Sequence, residues 1–66
     1  MLMIQEWEIW ACANHYIKLH GDDAAIVAAM RADELMDQGD LEGARVFRRI
    51  VNAVNELSKD PAGSVH

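Results

Sequence analysis

Apolar residues recur along the chain at three- and four-residue steps, in three stretches separated by two short polar breaks. In the first stretch Trp7, Trp10, Ala11, Asn14 and Ile17 fall on one stripe, with Ala13, Tyr16 and His20 alongside. In the second, Ala24, Val27, Ala28, Arg31 and Leu35 form a stripe that Ile26, Met30 and Met36 widen. The third is the clearest: Ala44, Phe47, Ile50, Val51, Val54 and Leu57 repeat with the helical period. No stretch sustains the period-two alternation of a half-buried strand. The pattern predicts an all-α chain, a small three-helix bundle with helices over about residues 4–20, 23–38 and 41–58.

The breaks support the same boundaries. His20-Gly21-Asp22-Asp23 and Gly39-Asp40 each read as a helix stop followed by a helix start. Glycine supplies the positive-φ residue after the last turn, and aspartate caps the free N–H groups of the next helix. The third helix should stop before Pro61, which forces Asp60 out of helical geometry. This gives one domain over residues 1–60 and a flexible tail over 61–66. Connections this short bring consecutive helices close to antiparallel. Gly43, in the first turn of the third helix, carries a helix penalty of about 1 kcal/mol, and close approach of another backbone is the expected reason.

Length sharpens the picture. At 66 residues, one core leaves only ~3–5 kcal/mol of net stability unless disulfides, metal or association add to it. Cys12 is the single cysteine and cannot form an internal disulfide. Association is the remaining source, and the apolar faces are broader than a lone bundle needs. Ile4, Ile9, Leu19, Ile26 and Met36 fall partly off the main stripes and suggest a second buried surface. Trp7 and Trp10 share a face at i and i+3, and two indoles rarely both fit so small a core. One of them, with Tyr16, becomes a candidate anchor for a partner. The interface candidates are Trp7, Trp10, Ile26, Met30 and Met36, and the expected partner is a second copy of the chain in a homodimer.

Charge narrows the functions. Eleven Asp and Glu against six Lys and Arg give a formal charge of −5, which opposes approach to a phosphate backbone. Arg45, Arg48 and Arg49 nonetheless give the third helix a basic edge beyond a tight glycine turn. The alternative reading is therefore a DNA-associated regulator with a helix-turn-helix-like pair formed by helices two and three. That motif wants a small residue where Leu35 stands and an apolar one where Arg45 stands. The plainer expectation is that these arginines pair with Glu42, Glu56 and acids of neighbouring helices. Arg31 interrupts an apolar stripe, so it should reach a carboxylate such as Asp40 or Glu34 and fix the register of the bundle.

Catalytic and metal templates are not met. Cys12 and His15 neighbour each other on a helix, but His20 lies five residues further on, and no CxxC or HExxH occurs. Asp22 and Asp23 sit where caps are expected, Ser58 and Ser64 at a helix end and in the tail, and no Gly-rich phosphate loop is present. No catalytic, cofactor-binding or metal-binding residue is assigned, and the chain is expected not to be an enzyme. MLMIQEWE has no basic leader region, no apolar run approaches ~20 residues, and the lone thiol fits a reducing compartment. The expectation is a cytoplasmic protein without a membrane partner.

Trp10-Ala11-Cys12-Ala13, His20-Gly21-Asp22, Arg31, Leu35, Gly39-Asp40, Gly43, Phe47 and Ile50 together resemble a family of short uncharacterised alphaproteobacterial proteins. Their pattern is W-x-x-A, then H-G-D, then R-x-x-x-L-x-x-x-G-D-x-x-G-x-x-x-W-x-x-I, with Phe47 here in the place of the last Trp. The resemblance runs from Trp10 to about Val54 and implies a helical bacterial domain without implying a mechanism. Gly39-Asp40-Leu41-Glu42-Gly43-Ala44 is also similar to one tetratricopeptide-like hairpin, as a packing analogy.

Overall fold

The computed structural model describes residues 5–59, and within them three helices follow one another with no strand between. Helix α1 spans Glu6–His20, α2 spans Ala24–Asp37 and α3 spans Leu41–Ser58, with a single 3-10 turn at Gly21–Asp23. The expected all-α three-helix bundle is the observed fold. Ile4, the stop at Asp60-Pro61 and the tail over 61–66 lie outside the described residues.

Local chemistry sets each boundary. At the start of α1 the Glu8 carboxylate accepts a hydrogen bond from the Gln5 N–H at 2.8 Å, satisfying an otherwise free donor. At its end Gly21 adopts φ 58°, ψ −128°, a region closed to side-chain-bearing residues, and its N–H donates to the Ile17 carbonyl. Neither Asp22 nor Asp23 caps α2 with its side chain as expected. The 3-10 turn opens α2 through the backbone instead, the Ala24 N–H donating to the Gly21 carbonyl.

The second connection is tighter. The Asp40 N–H donates to the Leu35 carbonyl at 2.8 Å and the Gly39 N–H to the Met36 carbonyl at 3.0 Å. With Gly39 at φ 82°, this is the Schellman closure of a helix end. Asp40 closes α2 through its backbone and opens α3 through its side chain, which accepts from the Gly43 N–H at 2.9 Å. A Cβ on Gly43 would stand 2.5 Å from the Asp40 carboxylate, whose atoms are its three nearest neighbours. The glycine therefore makes room for the cap, and the expected backbone-to-backbone contact is not its reason.

The core joins Ile9 and Ala13 of α1, Ala24 and Ala28 of α2, and Ile50, Ala53 and Val54 of α3. Ala32, Leu35 and Ala44 are buried nearer the α2–α3 turn. Alanines thus fill much of the interior, and the largest fully buried side chains are only Ile50 and Val54. Small side chains let helices approach closely but remove little apolar surface from water. Helix α3 is the keystone, since it packs on both other helices more extensively than they pack on each other.

The α1 stripe is offset from the expected one. Ile9, read from sequence as peripheral, is 3% exposed, whereas Trp7 is 68% exposed. Ala11 and Asn14 face solvent, and the Asn14 amide donates back to the Trp10 carbonyl at 3.1 Å. The apolar series Ile9, Ala13, Tyr16 and Ile17 turns inward in their place. The i, i+4 spacing fits both series, and the large indoles masked the better one.

Candidate interaction surface

Among the described residues six large apolar side chains stay exposed: Trp7, Leu19, Ile26, Met30, Met36 and Leu41. Of the residues proposed from sequence as interface candidates, Trp7, Ile26, Met30 and Met36 belong to this set. Trp10 does not, because its indole packs against the core. The two indoles therefore part company, one inward and one outward, despite their i, i+3 spacing. Tyr16 is also drawn in, its ring meeting Phe47 edge-on at 5.9 Å and His20 at 5.5 Å. It braces α1 on α3 rather than standing free for a partner.

The exposed side chains do not share one face. At about 100° per residue, Met30 lies on α2 opposite the buried line of Ala24, Ala28, Ala32 and Leu35. Trp7 lies on α1 opposite Ile9 and Ala13. Ile26, Met36 and Leu41 fall beside a shallow open groove of about 260 Å³ between α2 and α3. Ala29, Ala32 and Asp33 line it from α2, and Arg48, Val51 and Asn52 from α3, with no α1 residue taking part. Ile26 stands one turn before Ala29, Met36 one turn after Ala32, and Leu41 two turns before Arg48 on the same face. A second groove, of about 210 Å³ between α1 and α3, is lined by Glu6, Ile9, Trp10, Arg49, Ala53 and their neighbours. Neither groove reaches the ~300 Å³ typical of a small-molecule pocket.

Charge is unevenly spread. Asp22, Asp23, Asp33, Glu34, Asp37 and Asp40 gather on α2 and its flanking turns, against Arg31 alone. Arg31 pairs with Glu34 at 3.0 Å, one turn away on the same helix, and both side chains are about half exposed. The pair joins no two helices and cannot fix the register of the bundle as expected. Arg31 also lies off the buried stripe, where Ala32 and Leu35 stand in its place.

The three arginines of α3 also depart from their expected pairing. Arg49 reaches across to Glu6 of α1 at 3.1 Å. Arg45 and Arg48 are exposed and make no ion pair among the described residues, with Glu42 and Glu56 or any other acid. Glu56 instead meets Lys59 at 3.9 Å. Sequence spacing puts Glu42 one turn from Arg45, yet two exposed side chains gain too little by pairing to be held there. Asp33, across the groove from Arg48, is likewise without an ion-pair partner among the described residues.

Cys12 is half-buried against the core and His15 is exposed. No group of three or more His, Cys, Asp or Glu side chains among the described residues is placed to hold a metal ion. No helix among them is long and apolar enough to cross a membrane. The chain matches no family model, and no curated protein or solved structure is found similar to it.

Proposed function

We propose that this chain is a protein-interaction module whose first partner is a second copy of itself, and that it works by binding and not by catalysis. The carrying observation is the exposure of Ile26, Met30, Leu41, Met36 and Trp7 on a bundle whose interior is largely alanine. A core of that kind removes little apolar surface from water, and covering the remainder is the available gain. Reducing, cytoplasmic surroundings and membership of the alphaproteobacterial family whose motif the chain resembles belong to the same proposal. The motif's Gly39, Asp40 and Gly43 support it by building the α2–α3 turn. Size-exclusion chromatography with light scattering tests self-association. The expected mass at about 100 μM chain is twice the 7.4 kDa of one chain, and a single-chain mass overturns the reading.

A second reading has one observation in its favour. Arg45 and Arg48 make no ion pair with an acid among the described residues, which leaves them available to phosphates. Against it stands the formal charge of −5. A salt-titrated gel shift separates the two: no retarded species at about 50 mM salt, where phosphate contacts are strong, removes the DNA-associated role.

A further inference from the structure

The α2–α3 groove carries opposite charges on its two sides, Asp33 on α2 and Arg48 on α3, neither in an ion pair among the described residues. The hairpin is antiparallel, so the two residues stand at nearly the same height along it. Ala32 and Arg48 line one groove, and Leu35 and Ala44 are buried together nearer the turn. Two such faces can meet around a two-fold axis in either of two ways. An axis across the helices lays α2 on the partner's α2 and reverses height, so an axis between Asp33 and Asp37 sets each acid against the partner's copy of the other. An axis along the helices lays α2 on the partner's α3 and preserves height, so Asp33 of each copy faces the partner's Arg48. Like charges opposite each other cost energy and unlike charges gain it, and only the second arrangement is self-complementary.

Resting on the self-association reading above, we propose that this groove is the self-docking face. Two copies pack hairpin on hairpin into a four-helix layer about an axis running along the helices. Two symmetric Asp33–Arg48 pairs set the register, and the alanine floor of Ala29 and Ala32 lets the partner's backbone come close. At the turn end Met36 lies about one helical turn from the partner's Leu41 in height, so two exposed apolar side chains of each copy come within reach of each other. Trp7, on the outer side of α1, takes no part.

The test is complementation between charge-reversed copies. Asp33→Arg sets a second guanidinium opposite the partner's Arg48 twice over, and Arg48→Asp sets a second carboxylate opposite the partner's Asp33. Each variant alone is expected to dimerise on the order of tenfold more weakly or worse, while circular dichroism stays helical because both positions are exposed. Mixed in equal amounts, they form a heterodimer in which both 33–48 pairs join unlike charges and no like-charge pair remains, and light scattering recovers the dimer mass. Trp7→Ser is expected to dimerise like the unaltered chain. If the unaltered chain dimerises but each reversal does so equally well, or the mixture fails to recover, or Trp7→Ser dissociates it, the groove assignment is overturned and self-association stands. If the unaltered chain is itself a monomer, both readings fall.

Discussion

Three glycines govern the connections, and they do so for two different reasons. Gly21 and Gly39 hold positive φ with open space where a Cβ would go. Alanine at either position is therefore penalised by backbone strain and not by collision. Each substitution is expected to lower stability by about 1–2 kcal/mol, read as an earlier midpoint in urea unfolding at fixed chain concentration. Gly43 obeys another logic, because its neighbour is the Asp40 carboxylate. Gly43→Ala gains up to about 1 kcal/mol of helix propensity but displaces a cap of similar worth, so alone it leaves stability nearly unchanged. In an Asp40→Ala background the cap is already gone, and the same substitution is expected to stabilise by close to 1 kcal/mol. A double-mutant cycle in urea checks this; additive effects would mean that the carboxylate and the glycine are independent.

Among the elements, α3 carries the fold, since it contributes Ile50 and Val54, the largest fully buried side chains. Ile50→Ala is expected to cost about 2–5 kcal/mol, comparable with the whole stability of so small a core, and to abolish the cooperative thermal transition at low concentration. Arg31→Ala removes only an exposed pair within α2 and is expected to change stability by less than about 1 kcal/mol. The same element explains what could be read from the sequence. The α3 stripe was legible because charged residues fill its outer face, leaving one apolar series possible. Helix α1 offers two apolar series, and only the surface it meets on α2 and α3 chooses Ile9 and Ala13 over Trp7 and Ala11. The groove was not legible at all. Asp33 and Arg48 are fifteen positions apart in the chain, and their opposition depends on the height at which the hairpin closes. Likewise, the tie from Arg49 to Glu6 joins residues far apart in sequence.

On the scale of the whole molecule, a largely alanine interior and an outer surface bearing Ile26, Met30 and Leu41 are two sides of one balance. If a second copy docks as proposed, it removes apolar surface that folding leaves exposed, so folding and association are linked. A dimer linked to folding in this way melts at a temperature that depends on its concentration, because dilution favours separated chains that are folded but less stable. The most direct measurement is thermal unfolding by circular dichroism at about 1 μM and about 100 μM chain. The coupled dimer should gain on the order of 5 °C in Tm over that range. An identical Tm at both concentrations would show a bundle that stands alone, and would contradict the account.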